Sequence, residues 1–211
     1  MYPDLNPEKA LIFRIVHRDN VGTILRKGLH CQSSAAAECR YVQIGNPELI
    51  EKRRTRVVGP PYGGTLSDYV AFYFTPFSPM LYNIKTGYNG IVKRENRDIV
   101  ILVSSIHRLA AKEIPFVFTD RHAYLKFARY SNQLLHLDRI DWHILQQRDF
   151  KRDDVDKFDR YQAETLVYKH MPINGLVGAM CYNDDVKSEI EQLARRAHVK
   201  LNVVARTKWY F

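Results

Sequence analysis

Asp68-Tyr69-Val70-Ala71-Phe72-Tyr73-Phe74-Thr75-Pro76-Phe77-Ser78-Pro79-Met80-Leu81 opens as an aromatic-rich apolar run and breaks at Pro76. The run reads as a buried strand. A proline cannot donate to a sheet ladder, so Pro76 stops it. Ser78 then caps a short helix whose first residue is Pro79, a proline position that costs no hydrogen bond. Gly87 is the expected terminator. The unit ends in a rigid strand followed by a helix N-terminus with free N–H groups and a positive dipole end. Such a corner suits the floor of a nucleotide pocket.

Upstream, Leu11 to Val16 reads as a strand, His17-Arg18-Asp19-Asn20 as a turn, and Val21 to Lys27 as a helix capped by Asn20 and stopped by Gly28. Residues 33–40 are small and polar, a loop. Asn46-Pro47 opens another helix, which runs into Lys52-Arg53-Arg54-Thr55-Arg56, a cluster of cations suited to phosphate or to a solvated face. Gly59 to Gly64 is a turn without the Gly-Lys-Ser/Thr of a phosphate-cradling loop. The segment holding Lys93, Arg94 and Arg97 could cover a site.

Downstream, the continuous apolar run Ile99 to Val103 predicts a central strand. A helix from Ile106 to Lys112 follows Ser105, and Pro115 to Thr119 forms another strand. Asp120 is expected to cap a helix containing His122, Tyr124, Leu125 and Phe127. Asp141 caps a helix within Asp138–Leu145. After a charged stretch from Lys151 to Arg160, a short strand starts just past Glu164, which sets one carboxylate at a strand mouth beside a basic segment. Gly175 to Tyr182 is a strand, and Asp184 to His198 is an amphipathic helix with Val186, Ile190, Leu193 and Ala197 on one face. Leu201 to Ala205 and Trp209 to Phe211 close the sheet. Strands and helices mix without steady alternation, which favours α+β with a mostly antiparallel or split sheet. The length of 211 residues predicts a single domain over 1–211.

A net charge of +9 and 13 Tyr with 10 Phe ask for a polyanionic partner with bases to stack on. The 3 cysteines are odd in number and lack metal spacing, Cys31 and Cys39 included, so a disulfide framework and a zinc module are both disfavoured. The cytosol is the compartment this implies. No apolar run has membrane-spanning length, and the start lacks a signal peptide.

The motif Tyr69-Val-x-Phe-Tyr-Phe-Thr-Pro-x-Ser-Pro-Met-Leu-Tyr82 resembles the signature of DarT-type DNA ADP-ribosyltransferases, toxins of bacterial toxin–antitoxin pairs. Arg160-x-x-Ala163-Glu164-x-Leu166-Val167 is similar to the setting of that family's catalytic glutamate. Weaker likenesses cover residues 11–28 and 118–123. The resemblance implies a split, mostly antiparallel ADP-ribosyltransferase sheet with flanking helices, NAD as co-substrate and no metal. It implies transfer of ADP-ribose to thymine in single-stranded DNA within a short sequence context, and a macrodomain antitoxin as partner. It makes Glu164 catalytic, assisted by Arg53 or Arg54, between which the sequence leaves the choice open. His122 enters the cleft in the family reading, although a first-turn His paired with Asp120 explains it as well. His17 would bind the adenosine ribose, or be only a hydrogen-bonded turn residue. Asn20, Tyr73, Phe74, Ser78, Met80 and Leu81 complete the expected NAD contacts. Lys52, Arg54, Arg56, Tyr82, Lys151, Arg152 and Arg160 are the expected DNA contacts, with Tyr62 and Tyr88 as further stacking candidates. Two departures stand out: Phe77 where a basic residue is expected, and Arg121 where a glycine is.

Three other readings compete. An RNA-directed transferase or 2′-phosphate-removing enzyme would share His17 and the charge but leave Glu164 unexplained. A non-enzymatic nucleic-acid-binding module would bind with strong salt dependence and would not need the carboxylate. A glycosidase would need a second acid at fixed separation. Asp153, Asp154, Asp156 and Asp159 are nearer to a solvated helix face than to that pair.

Overall fold

The computed structural model describes residues 2–36 and 41–211. Cys39 and the end of the loop expected at 33–40 lie outside the described residues. Strands β1 (Leu11–His17), β2 (Leu29–His30), β3 (Tyr69–Tyr73), β4 (Ile99–Ser105), β5 (Phe116–Thr119), β6 (Tyr130–Ser131), β7 (Glu164–Tyr168), β8 (His170–Met171), β9 (Gly178–Cys181) and β10 (Asn202–Ala205) alternate irregularly with helices. These are α1 (Val21–Lys27), α2 (Pro47–Arg53), α3 (Pro79–Thr86), α4 (Ile106–Ala111), α5 (Trp142–Gln147), α6 (Val155–Tyr161) and α7 (Asp184–Arg196).

Eight strands form one sheet in the order β10-β9-β4-β1-β3-β7-β5-β6, and β2 pairs with β8 separately. The pairings are antiparallel except β9 with β10, which α7 joins as a parallel crossover. The continuous apolar sequence of β4 is buried along almost its whole length, as expected for a strand covered on both faces. Its neighbour β1 matches it from Leu11↔Ser105 to His17↔Ile99. Toward β3, by contrast, β1 is registered only at Phe13↔Tyr73. The sheet therefore splits between β1 and β3, and Arg14 Nη1 bridges the gap with a 2.7 Å bond to the Ala71 carbonyl. On the far side of β3, β7 pairs in full register, with Tyr73 opposite Glu164.

The helix ends obey local chemistry. Asn46, Ser78, Ser105, Asp141 and Asn183 each accept a backbone N–H bond as caps. Gly87 closes α3 in the left-handed conformation. α7 lays Val186, Ile190 and Ala194 into the core.

Two expected elements are different. Residues 120–129 form turns, not a helix. Their backbone donors serve tertiary partners: His122 N bonds Asp159 O at 3.0 Å, Ala123 N bonds Glu164 Oε1 at 3.1 Å, and Arg129 N bonds Asp120 Oδ1 at 2.9 Å. Those bonds replace the i−4 carbonyls a helix would use. Nor do Trp209–Phe211 join the sheet. Thr207–Trp209 is a 3₁₀ turn, and the Tyr210 hydroxyl sits 3.0 Å from Ile99 O and 2.9 Å from Met180 O, so Tyr210 contributes its side chain where a strand would contribute its backbone.

β9 and β10 approach so closely that a Cβ on Gly178 would lie 2.5 Å from the Asn202 carbonyl oxygen. Backbone cannot yield as a flexible side chain can. Gly178→Ala is expected to lower unfolding free energy by about 1–3 kcal/mol, read as a fall in the urea midpoint at unchanged slope. No helix among the described residues is long and apolar enough to cross a membrane.

Candidate active site

The split between β1 and β3 opens a cavity of about 310 Å³, walled by Arg14 from β1, Ala71 and Tyr73 from β3, and Glu164 from β7. Thr23, Lys27 and Gly28 close one end, while Gln43–Asn46, Leu49, Ile50 and Arg53 lie across it. α2 buries none of its residues fully. It acts as a wall held by its ends. Asn46 caps its start, accepting from Leu49 N at 3.0 Å. At its other end Arg53 Nη1 reaches Glu164, 3.0 Å from Oε2 and 3.2 Å from Oε1.

Glu164 is only 2% exposed, yet it lines the cavity. Its carboxylate accepts from Arg53 and from the Ala123 N–H, and His122 Nδ1 lies 3.5 Å from Oε1. Burial alone would push this carboxyl up. The Arg53 guanidinium, His122 and the Ala123 N–H outweigh that and hold it below the ordinary carboxylate range. Burial has the opposite effect on His122, which it drives below the usual imidazole value, with Glu164 opposing and Arg53 adding to the fall. His122 Nδ1 accepts from Tyr124 N at 3.1 Å, which leaves the proton of the neutral ring on Nε2. Burial, then the Glu164 charge, raises the Tyr73 phenol, so it stays protonated; its hydroxyl lies 3.6 Å from Met80 Sδ. The site thus holds an ionised carboxylate, a neutral imidazole and a fixed cation. That combination can stabilise developing positive charge, orient hydroxyls and accept a proton.

Of the residues expected at NAD, Tyr73 and Met80 line the cavity. Asn20 acts one step away: its amide clasps Val42, donating to O at 2.9 Å and accepting from N at 2.8 Å, and so sets the entry to the Gln43–Asn46 wall. His17 is not in the wall; its Nδ1 accepts from Asp19 N at 3.3 Å, the turn arrangement. Phe74, Ser78 and Leu81 are not among the residues lining the cavity. All three are buried: Phe74 packs against Phe118 and Trp142, Ser78 spends its hydroxyl on the cap of α3, and Leu81 belongs to the core. Of the two candidate arginines, Arg53 reaches Glu164, whereas Arg54 is exposed and pairs with Glu51.

The expected DNA contacts divide similarly. Lys52 pairs with Glu48 on the outer face of α2. Arg56 is turned inward, its Nη2 donating to Leu125 O at 2.7 Å. Arg160 pairs with Asp141, the cap of α5, and with Asp156 at 2.9 Å, and so ties α6 to α5. Tyr62 stacks on Tyr168. Tyr82, Lys151 and Arg152 gather instead in a separate groove with Tyr88. At Phe77, where a basic residue was expected, the Arg148 guanidinium sits 3.6 Å from the ring centroid. Arg121 bonds Asp156 at 2.9 Å and packs α6 against the turns.

Sequence reasoning missed Arg14 and the Gln43–Asn46 wall. A charged residue inside an otherwise apolar strand, Leu11–His17, was the available signal for Arg14. Nothing local marks the wall, which is placed by the Asn20 clasp.

The cavity can be tested against a dinucleotide. Its volume is at the small end for ligand pockets, so a dinucleotide would extend beyond its mouth. Arg53 Nη2 is buried with no hydrogen-bond partner among the described residues, a donor that a ligand oxygen can take. The residues present fit. Among the described residues no group of His, Cys, Asp and Glu could hold a metal ion.

The family model described as "ssDNA thymidine ADP-ribosyltransferase, DarT" matches residues 13–211. A DNA ADP-ribosyl transferase of Escherichia coli O127:H6 is 53% identical over 209 residues, covering 98% of this chain and 96% of that protein. The structure of Thermus sp. 2.9 DarT in complex with ADP-ribosylated ssDNA superposes with a TM-score of 0.89 at 33% identity, covering 100% of this chain and 99% of that one. The same Thermus protein in complex with NAD+ gives 0.84 at 32% identity, covering 100% of each chain.

Proposed function

The chain belongs to the DarT family of ssDNA thymidine ADP-ribosyltransferases, and on that footing we propose how its residues carry the reaction. It is an NAD-dependent DNA ADP-ribosyltransferase that moves ADP-ribose from NAD to thymine in single-stranded DNA, within a short sequence context. The observation that carries this reading is Glu164, ionised at the wall of the cavity and held there by Arg53 and the Ala123 N–H.

The bond from ribose C1 to nicotinamide breaks with its electron pair leaving on the pyridine nitrogen. Positive charge develops at C1, and the Glu164 carboxylate stabilises it. Thymine N3 forms the new bond to C1 and gives up its proton, which Glu164 is placed to accept. Arg53 holds the carboxylate and offers Nη2 to the dinucleotide. The His122 Nε2–H serves the nicotinamide end or a carbonyl of the base. Thymine N3 is hidden in a base pair, so a single strand or a flipped base is required.

We read the protein as the toxin of a toxin–antitoxin pair, acting in the cytosol and opposed by a macrodomain that removes ADP-ribose. Family membership supports this, and the buried free thiols of Cys31 and Cys181 suit a reducing compartment. Mass spectrometry of DNA and RNA oligonucleotides after incubation with NAD tests the reaction. One ADP-ribose on a thymine of single-stranded DNA is the expected product. Labelling of RNA alone, or hydrolysis of NAD without any adduct, would refute it.

Asn20→Ala removes both bonds to Val42, each worth about 1 kcal/mol. The cavity wall loosens while Glu164 is untouched, so the apparent KM for NAD should rise about tenfold with a smaller change in kcat. Steady-state kinetics at varied NAD measure it.

A further inference from the structure

We propose that the groove between α3 and the segment 147–158 is a second nucleic-acid subsite, which holds the nucleotides flanking the modified thymine on the same single strand. The choice of occupant rests on the DNA reading above. The groove has a volume of about 700 Å³ and shares no lining residue with the Glu164 cavity.

Its walls combine what a single strand needs. Tyr82 and Tyr88 are 41% and 45% exposed, and among the described residues Phe127 alone is another exposed Phe, Tyr or Trp ring. Arg152 lies 4.9 Å from the centroids of both Tyr88 and Phe158, and its Nη1 bonds the Tyr88 hydroxyl at 3.1 Å. A guanidinium fixed between two rings keeps further N–H donors free for a phosphate. Arg148 is likewise anchored, over Phe77 and bonded to the Tyr2 hydroxyl at 3.2 Å. Lys151 is exposed, with no acidic partner among the described residues. The acid in the lining, Asp149, shares Lys157 with Asp153, at 3.0 and 2.8 Å, and faces three cations of the lining, Arg148, Lys151 and Arg152. The groove is therefore positive and offers ring faces, the pairing by which proteins hold unpaired strands. An acidic peptide would use the cations and leave both tyrosines idle.

The position of the groove ties it to catalysis. Phe158 lines it, and the next residue, Asp159, holds the His122 backbone N–H through its carbonyl at 3.0 Å. Consecutive residues of α6 thus touch the groove and the catalytic turn.

The test measures binding and crosslinking without NAD, using the whole chain. Single-stranded oligonucleotides carrying 5-iododeoxyuridine at successive positions around one thymine are irradiated, and the adducts are mapped by mass spectrometry. Crosslinks to Tyr82 or Tyr88 from flanking positions are expected. Tyr88→Ala should weaken binding of a twelve-nucleotide strand about tenfold. Lys151→Ala should lower the slope of log K against log salt by about 0.7. Both side chains are on the surface, and circular dichroism checks that the fold persists. Crosslinks that avoid the groove, or variants with the parent's affinity and salt slope, overturn the subsite even if the parent modifies thymine; a partner protein on this surface would give that result. Groove crosslinks without any adduct after NAD is added would leave the subsite standing and refute the catalytic reading instead.

Discussion

Glu164→Gln is expected to slow ADP-ribose transfer to DNA by about a hundredfold to a thousandfold, while the protein stays folded and still binds NAD. Glutamine keeps the shape and an oxygen that accepts from Arg53 and from the Ala123 N–H. It removes the negative charge and the ability to take a proton. A fixed charge in a cavity poor in water stabilises the transition state because no solvent need reorganise around it, and losing one such group costs about 2.7–4 kcal/mol. Folding is checked by thermal unfolding, and transfer by the rate of adduct formation on an oligonucleotide. Transfer at the parent rate would remove Glu164 from the chemistry. The parent's pH profile gives a second measurement. Glu164 is held below its ordinary 4.5, so it is ionised throughout the neutral range. His122 is held below its ordinary 6.5, so it stays neutral there. Both groups have their midpoints below pH 6.5, so the profile should level off as pH rises from there toward 8 as far as they govern it.

How much of this was legible beforehand depended on the range of the interactions. The strand at Tyr69–Tyr73, the Ser78-Pro79 cap and the Gly87 stop rest on neighbours in sequence, and each is present. Glu164 at the start of a strand was legible for the same reason. The motif was less informative about direction. Phe74, Ser78 and Leu81 are buried in the corner it builds, and a resemblance does not give the direction of a side chain. Arg160 is a similar case: its partners are Asp141 and Asp156, one of them from another helix, and only the fold reveals that its charge is already matched. The helix expected after Asp120 failed because three backbone donors there are claimed by Glu164, Asp159 and Asp120 itself. Local propensity gave way to the site, at the place where sequence rules are expected to yield to function.

Arg53→Ala should show its effect in rate, in stability and in the pH at which each changes. The guanidinium is the nearest cation to a carboxylate that is almost wholly buried. Its removal leaves desolvation, which pushes the Glu164 carboxyl up, opposed only by His122 and one backbone N–H. An opposite charge at this range is worth about 1–3 pH units, so the acid limb of the rate should move up by about that amount. A residue that merely braced α2 would not move it. Stability follows with a definite sign. In the parent, the depressed folded value means that Glu164 adds stability above about pH 4.5, and the gain is lost as pH falls through that folded value. In the variant the folded value rises, and the buried charge becomes a cost at neutral pH. The stability gap between the two should therefore be small near pH 4 and reach about 3 kcal/mol near pH 7, at the low end for a broken buried pair because the Ala123 N–H still bonds the carboxylate. Urea unfolding at the two pH values measures the gap. α2 buries no residue fully, so it should also lose hydrogen-exchange protection ahead of the sheet. Arg53→Lys restores the charge without the second donor, and should recover most of the pH shift but less of the NAD affinity. A gap that does not widen with pH would mean that Arg53 holds the wall of the cavity and leaves the carboxylate's charge alone.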